Sequence, residues 1–251
     1  MIDKYFKDRV TVRNFSDKEV SDELIFDMLE AAAHAPTNGN MQLYSVVITK
    51  EPARKMLLAS THFCQPASTG ANVMLTFCAD FNRFVKWCEV SNAKPGYDNF
   101  QSFMSAVFDT VILAQQFCTI AEMQGLGTCY LGTTAYNAPQ IAEILELPER
   151  VVPVITVALG YPAGESEKSD RIPAAGFIHK ETYKNYTPER IVELYAEKEA
   201  RDDSRKFVEE NKKETLAQVF TDIRYPKANN VVFSKIYKDF IAKQGFDFEA
   251  E

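Results

Sequence analysis

Short apolar runs alternate along this chain with stretches whose apolar positions recur at helical spacing. Tyr44 to Thr49, Val73 to Ala79 and Thr128 to Leu131 have strand length and apolar content. Val151 to Leu159 is almost continuously apolar, which predicts a central strand covered on both faces. Between these runs, Ser21 with Glu23 and then Leu24, Ile25, Met28, Leu29 and Ala32 predicts a capped amphipathic helix. It stops at the turn cluster Ala35-Pro36-Thr37-Asn38-Gly39-Asn40. Further helices are predicted over residues 3–9, 52–60, 80–90 and 139–145. A long apolar helix is predicted over 101–124, closed by Gly125. Alternating strands and helices predict a sheet layered with helices.

Beyond Gly160-Tyr161-Pro162 the pattern changes. Gly164 to Asp170 is a polar loop, and from Thr187 the chain is charged and helical. Its apolar positions are sparse: Ile191, Leu194, Tyr195, Phe207, Leu216, Val219 and Phe220. Such a segment reads as an arm that needs an external surface. The organisation expected is therefore a domain over residues 1–186 and a helical arm over 187–251.

Composition narrows the function. With 46% hydrophobic and 25% charged residues among 251, the chain can bury a core. A formal charge of -7 disfavours nucleic acid and anionic membrane as partners, although a local arginine cluster can still take an anionic ligand. The apolar stretch from Phe103 to Met123 contains Asp109, Gln115, Gln116 and Glu122, so a core helix is expected and no membrane span. Five scattered cysteines without a CxxC pair, and an N-terminus without an apolar export region, predict buried reduced thiols in a cytoplasmic protein.

Arg9-Val10-Thr11-Val12-Arg13 places two guanidinia and a hydroxyl on one side of an extended segment. Converging donors of this kind suit phosphate, and a solvated charged strand is the alternative. The Pro36–Gln42 loop is rich in amides that can read a flat heterocycle, or it is an ordinary turn. Lys168-Ser169-Asp170-Arg171 could complete an anion site from a loop. Gly125-x-Gly127 precedes a strand, with spacing wrong for a dinucleotide fingerprint, which removes a Rossmann reading. His34, His62 and His179 lack metal-ligand spacing, and no GxSxG, HExxH or P-loop is present. For an enzyme of this composition, a bound cofactor is expected to carry the chemistry, with no metal.

In order, Arg9 to Phe15, Pro36 to Gln42, Gly125-Leu126-Gly127-Thr128-Cys129-Tyr130-Leu131-Gly132 and Lys168 to Arg171 resemble the FMN-dependent nitroreductase family. Phe77 to Arg83, Leu159 to Ala163 and Arg171 to Ala174 are similar to its subgroup of larger oxygen-insensitive nitroreductases and NADPH–flavin reductases. The resemblance implies an α+β fold with a mostly antiparallel sheet, in an intertwined homodimer whose C-terminal arm wraps the partner. It implies FMN bound by Arg9, Val10 and Thr11, with Arg9, Thr11, Arg171 and Lys168 at its phosphate. Arg13 is then expected at the flavin N1/O2 edge, where a fixed cation stabilises the charge left by hydride arrival. Thr37, Asn38, Asn40, Gln42 and Gln65 would line the ring or ribityl chain, and Tyr130, Leu131, Gly132 and Thr133 would offer backbone contacts. The implied cycle is ping-pong, from NADPH or NADH through flavin N5 to a nitroaromatic, quinone or flavin acceptor, without a catalytic protein side chain. Arg205 and Lys206 are the cations left in the acidic arm to meet the dinucleotide. A flavin-storage protein, a flavin-dependent dehalogenase and an azoreductase are the alternatives.

Overall fold

A computed structural model describes residues 2–248. Two compact units emerge: Met1–Glu167 with Phe233–Glu251, and Lys168–Val232. Among the described residues, β1 (Tyr44–Thr49), β2 (Val73–Asp80), β3 (Gly127–Leu131) and β4 (Val151–Gly160) form one sheet in the order β1-β2-β4-β3. All neighbouring strands are antiparallel. As its apolar run required, β4 is central, and β2 beside it is buried along its whole length.

The helices of the first unit are α1 (Ile2–Asp8), α2 (Asp22–Ala32), α3 (Pro52–Thr61), α4 (Pro66–Gly70), α5 (Asn82–Val90), α6 (Phe100–Met123) and α7 (Ala138–Ile144). Their starts follow local chemistry: the side chains of Ser21, Glu51 and Asn99 accept backbone N–H bonds in the first turns of α2, α3 and α6. Alternation along the strands then assigns the faces. Val73, Leu75, Phe77, Val157 and Leu159 meet Ile25, Met28, Leu113 and Phe117 from α2 and α6. Met74, Cys129, Leu131 and Ala158 point the other way, onto Leu58, Ala67 and Ile141 from α3, α4 and α7.

By length and composition α6 could cross a membrane, yet ten of its residues, Asp109 included, are buried in the protein. It is the core helix expected from the sequence. Another of its faces leaves Phe108, Val111 and Ile112 exposed.

The second unit holds α8 (Pro188–Ala200), α9 (Asp202–Glu210) and α10 (Leu216–Gln218), which runs into a π-helical turn at Val219–Arg224. From there α11 (Lys227–Lys243) returns the chain to the first unit. These compact units do not break at residue 187. Residues before it belong with α8, since Arg190 donates to the Ala175 carbonyl at 2.7 Å and Tyr186 to that of Gly176. At the other end, Ile241 and Phe246 join Leu43, Ala79, Phe81, Phe103 and Val152 in the first unit's core. Leu216 and Val219, expected to need an outside surface, are already buried.

Three smaller expectations are corrected. Cys64 is exposed, in a loop where Phe63 and Cys64 take left-handed φ of 57° and 48°, whereas the other four cysteines are buried. The helix expected from Asp80 begins at Asn82, because Asp80 still pairs with Val151 in β2. The sequence reading also missed α4, whose five residues are too few to show a period; Pro66 at its start was the available signal.

Candidate functional site

Residues 9–16 run beside the edge strand β3. The Val12 N–H donates to the Thr128 carbonyl at 3.1 Å, Phe15 bridges Pro162, and the Ser16 N–H reaches the Tyr161 carbonyl at 2.8 Å. This approach depends on Gly127, where a Cβ would lie 2.5 Å from that of Val12. With Val12 buried, Arg13 is exposed, and Arg9, Val10 and Thr11 are half-buried.

The two arginines differ in their partners. Arg9 pairs with Glu122 at 3.0 Å, and that carboxylate also accepts from Thr128 Oγ1 at 2.6 Å and from the Tyr5 hydroxyl at 3.2 Å. Arg13 makes no ion pair among the described residues. Burial pushes the Cys129 thiol up, and the charges of Arg13 and then Arg9 oppose it.

The end of β3 carries the next predicted group. Tyr130 and Gly132 are exposed, Thr133 is half-buried and Leu131 is buried. Thr133 Oγ1 lies 2.8 Å from Nδ1 of the fully buried His62. That contact ties the loop leading to the exposed Gln65 to the turn after β3.

Burial lowers the His62 pKa from 6.5 to about 4. The unfolded chain therefore binds this proton first, so the stability tied to neutral His62 is complete above pH 6.5. It falls as the pH drops towards 4. The interval corresponds to roughly 3 kcal/mol. Urea unfolding at pH 7 and pH 4.5 should show a loss that is smaller in His62→Asn; equal losses would show that His62 does not carry it.

The Pro36–Gln42 loop is organised from α6. Asp109, 1% exposed, accepts from the Asn38 N–H at 2.8 Å, from Asn38 Nδ2 at 2.8 Å and from the Leu43 N–H at 3.2 Å. Asn38 Nδ2 also reaches the Ser105 carbonyl, so the amide expected to face a ligand is committed to the loop's own anchorage. Arg83 holds the carbonyls of Gln42 and Tyr44. Between the anchors Gly39, Asn40 and Gln42 have left-handed φ of 55°, 56° and 54°. Asn40 is exposed, while Thr37 and Gln42 are half-buried.

Within one chain these two halves of the site stand far apart. The amide loop feeds β1, where Tyr44 aligns through Ala79 with Val152, whereas the cationic segment docks at Thr128, opposite Leu159. Three strand spacings separate those edges, roughly 14 Å, and the seven residue steps from Val152 to Leu159 add roughly 23 Å along the strands.

Lys168 and Arg171 belong to the second unit, where both are exposed. Arg171 donates to the carbonyls of Ser169 and Asp170, and Lys198 pairs with Asp170 at 2.7 Å, holding that carboxyl below its ordinary range. On α9, Arg205 lies 4.0 Å from Asp202 and Lys206 lies 3.8 Å from Glu210, all at the surface. Sequence reasoning missed Asp109, Glu122 and His62 as organising residues. The two carboxylates had left a signal as charges inside an apolar helix; His62 had left none.

Among the described residues no cluster of His, Cys, Asp or Glu is arranged to hold a metal. Fold and candidate site thus define a class: an α+β protein with arginines, hydroxyls and amides exposed or half-buried around a four-stranded antiparallel sheet. A sequence profile described as the nitroreductase family matches residues 6–161. The chain belongs to that family, and it is an oxidoreductase. A Cr(VI) reductase of Pseudomonas sp. (strain G-1) is 28% identical over 257 residues, covering 99% of this chain and all of the relative. An FMN reductase (NADPH) of Bacillus subtilis is 30% identical over 175 residues, 69% of this chain and 70% of the relative. The crystal structure of a Bacteroides fragilis NCTC 9343 protein superposes with a TM-score of 0.95 at 49% identity, covering 97% and 99% of the two chains.

Proposed function

We propose that this chain binds FMN non-covalently, takes reducing equivalents from NADPH or NADH, and passes them to an electron-poor acceptor in a ping-pong cycle. The observation that carries this reading is the arginine segment pinned along β3. It fixes the segment that carries the exposed Arg13, which makes no ion pair among the described residues, next to the strand whose far end exposes Tyr130 and Gly132. Cations and a hydroxyl are the donor set that a phosphate requires, and a fixed cation suits a flat, acceptor-rich ring. Nitroaromatics, quinones, free flavin and chromate, the last named for the Pseudomonas relative, are the acceptors to compare. A cytoplasmic location fits this use of reduced nicotinamide.

FMN supplies the hydride chemistry when bound. The chain's residues bind and orient it. Arg9 and Thr11 would hold the phosphate, Lys168 and Arg171 are the second unit's own candidates for an anion, and Thr37, Asn40, Gln42 and Gln65 would line the ring and ribityl chain. Arg13 fixes a positive charge where negative charge accumulates on reduction. Arg205 and Lys206 are the arm's candidates for the dinucleotide.

A homodimer completes this site. The amide loop and the cationic segment occupy opposite sheet edges of one chain, and α6 leaves Phe108, Val111 and Ile112 uncovered. Pairing two copies through α6, with the helical arm over the partner, brings one chain's loop to the other's arginines. Sedimentation of the FMN-loaded protein should give a dimer; a monomer that still reduces its acceptor would refute the shared site.

The direct test is optical. Purified protein should be yellow, release its colour on denaturation, and bleach anaerobically with NAD(P)H. Colourless protein that cannot be reconstituted with FMN overturns the reading; yellow protein that does not bleach is a storage protein. Acceptor profiling separates nitroreductase, dehalogenase and azoreductase.

The arginine roles separate in variants. Arg9→Ala or Arg171→Ala should weaken FMN by about 1.5–3 kcal/mol through a lost charge-assisted phosphate contact. Arg13→Ala should slow flavin reduction more than it weakens FMN. Stopped-flow rates beside FMN titration decide this, and an unchanged rate in Arg13→Ala refutes its role.

A further inference from the structure

We infer that His62 is a positioning residue that turns the Thr133 hydroxyl into a fixed hydrogen-bond donor toward the bound flavin, an inference that rests on the FMN reading above. The imidazole is fully buried, and its Nε2 has no hydrogen-bond partner among the described residues. Among the described residues the ring's one hydrogen bond is Nδ1 to Thr133 Oγ1 at 2.8 Å. Two arrangements satisfy that contact. If Thr133 donated, the ring proton would sit on Nε2 as a buried N–H without an acceptor, which folded proteins avoid more strictly than an unfilled acceptor. The imidazole therefore carries its proton on Nδ1 and donates to Thr133 Oγ1, leaving only a lone pair unfilled at Nε2.

The consequence lies on the other side of Thr133. Its oxygen is occupied from the interior, and among the described residues its own hydrogen meets no acceptor. The residue is half-buried in the 3₁₀ turn Gly132–Ala135 directly after β3, between the exposed Gly132 and the fully buried Thr134. Thr134 is itself fixed by bonds to the Leu131 carbonyl at 2.7 Å and to Thr156. The bonds of Thr134 hold the turn in place, so the remaining Thr133 hydrogen, half-exposed beside Gly132, is left for an acceptor outside the chain, which the proposed FMN would supply. A hydroxyl that already accepts a bond is a stronger donor through polarisation.

A double-mutant cycle on the FMN-loaded protein tests this, read by FMN titration, the visible spectrum and the flavin midpoint potential. His62→Phe removes the buried donor, Thr133→Val removes the hydroxyl, and His62→Asn keeps an N–H near the Nδ1 position. Each of the first two should weaken FMN about fivefold, as for one lost hydrogen bond. Both should shift spectrum and potential in the same direction. The double variant should be no worse than either single variant, because both act through one bond. His62→Asn should restore most of the effect. Additive losses, or a Thr133→Val spectrum and potential identical to wild type, overturn the inference. Wild-type protein that binds no FMN overturns the parent reading instead, and the two failures are distinct. If His62→Phe does not fold, Thr133→Val alone still decides, since that half-buried side chain lies outside the core.

Discussion

Phe246→Ala is expected to lower stability by about 3–5 kcal/mol, the usual cost of emptying a buried aromatic site. Phe246 is fully buried near the end of the described chain, with its ring 5.4 Å from that of Phe103 and 6.2 Å from that of Phe81. Around it are Leu43, Ala79 and Val152, from the segment before β1 and from the two central strands. The Gln244 side chain adds a polar latch, donating to the Val151 carbonyl at 2.9 Å. Removing residues 187–251 would strip Ile241 and Phe246 from the first unit's core. Such a truncation probes folding before it probes association, so point changes on the exposed face of α6 are the better probe of a dimer. Urea unfolding of Phe246→Ala checks the figure, and a loss under 1 kcal/mol would show that the C-terminal segment does not hold this core.

Asp109→Ala should cost about 3 kcal/mol or more of stability and, on the FMN reading, should sharply weaken the cofactor. Its carboxylate takes three N–H donors from Asn38 and Leu43, and removing a buried acceptor leaves those donors unpaid for by water. Gly39, Asn40 and Gln42 keep left-handed backbones only because the anchors on either side over-determine them. Once Asp109 is gone the loop relaxes and Thr37, Asn40 and Gln42 lose their arrangement. Asp109→Asn should fall between, since its amide oxygen can accept while its NH₂ opposes the remaining N–H donors. Unfolding curves measured beside FMN titration test both halves. Normal FMN affinity in a destabilised Asp109→Ala protein would remove the loop from the site.

Sequence alone determined the strands and the main helices, because these are local properties. The apolar run at Val151–Leu159 could only be a strand covered on both faces, and it is central. Ser21 and Gly125 marked helix ends through capping and chain reversal, which act over a few residues. The family signature was also legible, since its motifs are contiguous.

Tertiary structure decided what depends on distant neighbours. That Val12 can lie against β3 requires the missing side chain of Gly127, more than a hundred residues away. The role of Asp109 needed α6 to lie under the Asn38 loop, and that of His62 needed the turn at Thr133. The break between compact units fell away from residue 187 because burial, and not charge pattern, fixes such boundaries: Ile241 and Phe246 return to the first core across a charged stretch. The sheet order, set by long-range pairing, put the amide loop and the arginine segment on opposite edges of a single chain, a separation that no local pattern encodes.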